Sequence, residues 1–547
     1  MKRIRTLAAV FVLCFAGVHA ESNDWRIVRN LSIFNDVMRS VDIAYVDTLN
    51  YNQMVRTAIN AMLRSLDPYT VYYPKEDEDA VEQLTNGTYG GVGATIMQRA
   101  DKQVCISAMY DDKPAHRAGL HVGDVLLEID GVSTKGMSVS DVSKHLRGTP
   151  LSEICVKVDR YGEKKPLTFR FKREQIQIDP IFYSGIIAPQ VGYVAFSEFT
   201  DGSAAAFRKA VEDLVDQHHI DRLVIDLQDN GGGLITEAVR LVSLFVEKGT
   251  EVTSVRGRGK TGQHTYKTTT QPTWPDMKLV VLVNENTASA SEIVSGALQD
   301  LDRAVIIGER TYGKGLVQSL VPISFDGQLK VTTSKYYIPS GRCVQAIDYA
   351  HRDEQGRAKK IPDSLTHEFR TRAGRIVRDG RGITPDIILT DSGSYGISYH
   401  LEQAQLFFDF AVRYGSTHPA PESAEGFQVS DTLFNDFVRY VKEQNFTYKT
   451  ASMDEYNSLL RIMRYESLDL EAQDELEALK QKLQPTIESA MLLDRQMTDQ
   501  FLGVNLLNYY FGNQGVTRFY LPYNKVVQKA VSVITDDELM TRMLQGK

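Results

Sequence analysis

The sequence predicts a multidomain protein of mixed α/β and α+β class, with an α/β core and helical regions at both ends. Three observations carry this. At 547 residues the chain is too long for one hydrophobic core and implies about three or four domains. The apolar β-branched runs RLVIDLQ (222–228), KLVVLVN (278–284) and RAVIIGE (303–309) read as buried strands. They alternate with helical stretches such as AFRKAVEDLVDQ (206–217) and ITEAVRLVSLFVEKG (235–249), which implies a core with a parallel element. Residues 25–85 and 396–547 carry helical spacing instead, as in Ile27, Leu31, Phe34, Val37 and Met38.

At the amino terminus, Lys2, Arg3 and Arg5 precede the apolar run LAAVFVLCFAG and the small-residue site Val18-His19-Ala20. Residues 1–20 therefore read as a signal peptide, and the expected location is the periplasm or cell envelope. The run is too short to span a bilayer comfortably, and no later segment qualifies. Cys14 follows Leu13 where a small residue would be needed, which argues against lipidation there. A formal net charge of −8 argues against nonspecific nucleic-acid binding. Cys105, Cys155 and Cys343 remain after cleavage and form no disulfide framework, although Cys105 and Cys155 fall in one small domain and could pair. No CxxC or HExxH occurs, so neither metal nor other cofactor is expected.

The chemistry concentrates between Asn284 and Gln318. Ser289 falls on a turn between the strand 278–284 and a helix over 292–300, with Ala288 and Ala290 beside it. Such a turn exposes a nucleophile and backs it with unbonded N–H groups. Lys314 lies between Gly313 and Gly315, and if 314–320 is extended, Lys314, Leu316, Gln318 and Leu320 share one face. A neutral lysine can serve a serine as base, and burial favours that neutral form. Other readings fit the same residues. Ser289-x-x-Glu292 is also a capping box. Gly308-x4-Gly313-Lys314 approaches a phosphate-binding loop, but Gly315 stands where Ser or Thr would ligate magnesium. Asp229-Asn230-Gly231-Gly232-Gly233 is either a donor loop for an oxyanion or a tight turn. GRGKTG (257–262) matches GxGxxG but opens no helix, so a surface hairpin is expected there.

SASEIVSGALQD followed by ERTYGKGLVQ resembles the core of the carboxyl-terminal processing (tail-specific) serine proteases, a resemblance that extends over roughly residues 30–390. It implies a ClpP/crotonase-like α/β core with Ser289 as nucleophile, Lys314 as general base and Gln318 orienting the lysine. The family's D-L-R-x-N-P-G-G motif has Gln228 and Gly231 here in place of its arginine and proline. It points to Gly232, with Gly233 as the alternative, and the N–H of Ala290 as oxyanion donors. YGGVGATI (89–96) and KPAHRAGLHVGDVLLEIDG (113–131) look like a PDZ domain. Its loop Gly91, Val92, Gly93, Ala94 would bind a terminal carboxylate, and the peptide would add as a β-strand.

The expected division is 1–20 signal peptide, 21–85 helical region, 86–175 PDZ domain, 176–395 protease core and 396–547 a mainly helical domain. The charged run 351–379 is expected to be a solvated loop. By analogy with the family, the terminal helices are expected to support a homodimer. The expected activity is an exported serine endopeptidase that needs no cofactor and cuts proteins near their C-termini, which it captures through the PDZ domain. The rivals are a noncatalytic PDZ adaptor or chaperone-like envelope protein, and a nucleotide-dependent enzyme built on Gly308–Lys314.

Overall fold

A computed structural model describes residues 23–546 apart from 259–262, 391–395 and 484. The signal-peptide reading, Cys14, the tip of GRGKTG and the 395 boundary lie outside the described residues. The chain divides into two compact units, Met1–Pro68 and Tyr69–Lys547. In the first, helices span Asn23–Ala44 and Tyr51–Arg64. Asn50 caps the second by accepting from the N–H of Gln53 at 3.0 Å.

In the second unit, the apolar runs form a six-stranded sheet in the order Ile181–Ala188, Val191–Phe196, Arg222–Asp226, Lys278–Val283, Ala304–Gly308, Ile387–Ile388. The first pair is antiparallel and the rest are parallel. Its strands read as near-continuous apolar runs because both faces are covered. Leu223, Ile225, Leu279 and Val281 pack under the helices Ser203–His218, Ile235–Val242 and Ala290–Asp300. Val224, Val280, Val305 and Ile307 pack against Val526, Val527, Ala530 and Val533 of helix Lys525–Ile534. Residues far along the chain thus complete the core around this sheet.

A second, five-stranded sheet carries Leu316–Pro322, Gln328–Tyr337, Val71–Tyr73, Glu251–Gly257 and Gln263–Lys267. The last two pair antiparallel as a hairpin. Val71–Tyr73 pairs with Gln328–Lys330, so the stretch read as helical over 25–85 contains a strand. The run 351–379 is not a plain loop: Ile347–Arg352 pairs with Ala358–Lys360, and Glu368–Arg370 with Ile376–Arg378. Within these short strands only Val377 is buried, too little for alternation to reveal.

Residues 88–177 form a small domain of short strands in two sheets, one of them the pair Thr88–Gly91 and Glu174–Gln177. Its main sheet runs Ala94–Gln98, Val104–Met109, Val125–Ile129, Glu153–Asp159, Leu167–Lys172, with Ala94–Gln98 at one edge. Helix Val139–Leu146 closes the core through Val142 and Leu146. Asp124 of the GDVLLEIDG motif is buried and held by Arg160 through two hydrogen bonds of 2.7 Å, a bidentate pair of the strong kind. Cys105, Cys155 and Cys343 are free thiols, so the suggested Cys105–Cys155 pairing is not made. Burial pushes the Cys105 thiol up to about 11. From Ile397 onward the chain is helical around stacked aromatics, with Phe407 and Phe437 4.6 Å apart.

Candidate active site

The site grows from two loops at the carboxyl ends of adjacent parallel strands, where α/β sheets place ligands. After Arg222–Asp226 the chain turns through 227–234; after Lys278–Val283 it turns through 284–289. Side chains stitch the loops together. Thr287 Oγ1 donates to Leu227 O at 2.8 Å, Ala288 N to Asn230 O at 3.0 Å, and Ser291 Oγ to Asn230 O at 3.0 Å. Asn230 is fully buried, and its side chain donates to Phe196 O at 2.7 Å.

Ser289 occupies the sharp corner between strand and helix. Its φ of 58° and ψ of −115° are strained for a residue with a Cβ. The turn closes by Ser291 N donating to Ala288 O at 3.2 Å, and the helix begins with Ile293 N donating to Ser289 O at 3.0 Å. Tyr336 Oη donates to Ser289 O at 3.1 Å. The result resembles a nucleophile elbow, in which backbone strain lifts a hydroxyl out of the sheet.

Glu292 holds this corner to the lysine segment. It is fully buried, and all four of its hydrogen-bond neighbours are donors. Oε1 accepts from Thr311 Oγ1 at 2.6 Å and Gly313 N at 2.8 Å; Oε2 accepts from Ser289 N at 2.9 Å and Lys314 N at 2.8 Å. Burial pushes its carboxyl up, and these bonds pull it back. Three backbone N–H donors and one hydroxyl suit a carboxylate. Sequence reading gave Glu292 only a capping role, since its bonds to residues 311–314 have no local signal.

Lys314 leads into strand Leu316–Pro322. Its Nζ lies 4.7 Å from the ring centroid of Tyr69, a contact that favours the ammonium. Tyr69 Oη lies 3.4 Å from both Tyr312 Oη and Tyr349 Oη. Gln318 Nε2 donates to Thr332 Oγ1 at 3.2 Å. Ser289, Lys314, Gln318, Gly232 and Gly233 all line one cleft of about 950 Å³. Gly232 has φ +99°, and a Cβ there would stand 2.7 Å from both Ser289 Cβ and Ala290 N. Its own N–H donates to Asn230 Oδ1 at 2.9 Å. Gly91, Val92, Gly93 and Ala94 are not among the residues lining this cleft; Gly91 ends the strand Thr88–Gly91 and Ala94 opens the edge strand Ala94–Gln98 of the small domain. Gly93 has φ +75°, and a Cβ there would lie 2.4 Å from Lys113 Cβ, so this turn requires glycine.

Among the described residues no cluster of three or more His, Cys, Asp or Glu suits a metal ion. No described helix is long and apolar enough to cross a membrane.

Known proteins are similar to this chain in sequence. Residues 190–350 match the model of peptidase family S41, 83–159 match the PDZ domain, and 397–534 match a C-terminal helical domain of PDZ-proteases. The carboxy-terminal-processing protease of Bartonella bacilliformis is 33% identical over 353 residues, covering 63% of this chain and 80% of that protein. A CtpA-like serine protease of Staphylococcus aureus is 31% identical over 317 residues, 58% of this chain and 62% of that protein. Among solved structures, the photosystem II D1 C-terminal processing protease is 27% identical with a TM-score of 0.37, covering 66% of this chain and 93% of that one. The chain therefore belongs to the S41 peptidases, as a carboxy-terminal processing serine protease that carries a PDZ domain and a C-terminal helical domain.

Proposed function

We propose that this peptidase is exported and cleaves proteins near their C-termini with Ser289 as nucleophile and Lys314 as base. The observation that carries the pairing is the shared oxygen of Glu292, which accepts from the backbone N–H of both residues. Substrate filling the cleft that both residues line excludes water, and a drier site favours a neutral lysine amine. Lys314 takes the Ser289 hydroxyl proton as the oxygen attacks the scissile carbonyl. The N–H of Ala290, at the start of its helix, faces the developing oxyanion. Gly232 or Gly233 supplies the second donor; for Gly232 this means exchanging its bond to Asn230. Lys314 then protonates the leaving amine, and water attacks the acyl-enzyme, again through Lys314. Gln318, anchored on Thr332, orients the lysine through its side-chain carbonyl. The PDZ loop Gly91–Ala94 captures the substrate's terminal carboxylate, and the edge strand Ala94–Gln98 receives the tail.

The test compares wild type, Ser289→Ala and Lys314→Ala on an unstructured protein with an apolar C-terminal tail, with product masses read out. The expected result is cleavage by wild type only, with both variants folded. Near-full activity in Lys314→Ala overturns the assignment of the base.

A further inference from the structure

The edge that would receive a tail is not open along its whole length. Arg99 N donates to Gln103 O at 2.8 Å, which turns Arg99 inward toward the neighbouring strand. Alternation along the strand then turns the N–H and C=O of Gln98, and the N–H of Ala100, outward to the free edge. Two of these three groups are already bonded. Gln405 Nε2 donates to Gln98 O at 2.9 Å, and Ala100 N donates to Gln405 Oε1 at 2.9 Å. One side-chain amide therefore serves an acceptor and a donor as an added strand would.

Gln405 is placed for this by its backbone. It sits between helices Ile397–Gln403 and Leu406–Gly415 in the left-handed region, at φ 59°. The helical domain is held against the PDZ domain around it. Arg99 pairs with Asp409 at 2.9 Å, Asn508 Nδ2 donates to Ser107 O at 2.9 Å, and Phe408 and Val412 pack on Cys105 and Val122.

We infer that Gln405 is a stop that fixes how much of a substrate tail can pair with the PDZ edge. This rests on the proposed capture of the terminal carboxylate at Val92–Ala94. With the carboxylate there, an antiparallel tail places its third residue from the end opposite Ile96 and its fifth opposite Gln98. The Gln98 N–H is the last rung offered; the next acceptor and donor belong to Gln405. The ladder ends after about five residues, and the chain upstream leaves the sheet at that point. Gln405 is thus a specificity-determining residue of the peptidase, setting the length of tail that contributes to binding.

The test uses the full chain carrying Ser289→Ala, so that no peptide is cut. Fluorescent peptides share one apolar C-terminal sequence and grow from three to nine residues. Each is made as free acid and as amide. The expected affinity rises with length to about five residues, then changes less than about twofold. In Gln405→Gly, which keeps the left-handed backbone, the gain continues to about seven residues and adds about three- to tenfold. Free-acid binding that keeps strengthening past the fifth residue in the wild-type site overturns the stop, as does an unchanged plateau in Gln405→Gly with the protein folded. Equal binding of acid and amide overturns the carboxylate capture itself, and the inference with it. The length series at wild-type Gln405 decides the matter even if the variant fails to fold.

Discussion

Replacing Glu292 with Gln removes one charge and one acceptor atom from the centre of the site. The carboxylate accepts four hydrogen bonds. A carboxamide oxygen can keep two of them; its NH2 group then faces the other two donors. Bonds to a charged group contribute about 1.5–3 kcal/mol each, so the gross loss is about 3–6 kcal/mol. Relief from burying an ion offsets part of this, since burial already opposes the charge. A net loss of about 2–4 kcal/mol follows, concentrated where the Ser289 corner meets the Lys314 segment. A misplacement of about 1 Å there lowers turnover on the order of 100-fold. Steady-state hydrolysis of a tailed, unstructured protein should show kcat down about 100-fold, with KM changed less than about threefold, because the PDZ edge is untouched. Glu292→Asp keeps the charge but shortens its reach, and should also be impaired. If Glu292→Gln melts lower yet keeps wild-type kcat, Glu292 is only a helix cap and the reasoning fails.

Gly232→Ala puts a Cβ 2.6 Å from Ala288 O at φ +99°; the Ser289 turn must move, and kcat should fall on the order of 100-fold. Wild-type turnover in this variant would contradict that close approach. Asp226 is half-buried beside Tyr193 and Gln228, and desolvation raises its carboxyl from 3.8 to about 6. Its folded value lies above its unfolded one, so the native state holds the proton more tightly and stability falls as pH rises from about 4 to 6. The difference in urea stability between wild type and Asp226→Asn should shift by about 2 kcal/mol against wild type over that range; a pH-independent difference would refute it. Asp300→Ala strands Arg342, whose side chain is 1% exposed and bonded to Asp300 at 2.8 Å. We expect a loss of about 3–5 kcal/mol in denaturant unfolding, largely recovered by pairing it with Arg342→Met. A loss below about 1 kcal/mol would show that Gln299 and the carbonyl of Arg378, which the guanidinium also bonds, suffice without Asp300.

The central strands were legible because parallel strands covered on both faces must be apolar throughout, as Leu223–Ile225 and Leu279–Val283 are. The serine turn was legible because small residues and a glutamate three positions on form a local signal. What escaped was set by distance along the chain. Val71–Tyr73 becomes a strand only because Gln328–Lys330 lies beside it. Helix Lys525–Ile534 carries an ordinary apolar stripe, and nothing local says that it covers Val224 and Val280. Gln405 is one polar residue at a helix break, and its role exists only against a backbone some 300 residues earlier. Glu292 shows both sides: its bond to Ser289 is written in the spacing, while its bonds to Thr311, Gly313 and Lys314 require the strand return.

The covering of the core sheet by residues 525–544 has a consequence for biogenesis. A ribosome completes Ser289, Lys314 and the strands that carry them more than 200 residues before it reaches the helix that seals their second face. Until then Val191, Val224, Val280, Val305 and Ile307 present a bare apolar surface. A nascent or truncated chain is therefore expected to be a client for holding chaperones. Ser289 and Lys314 would be synthesised early, yet remain without a finished scaffold. Late closure of this kind delays proteolytic competence until synthesis is nearly done.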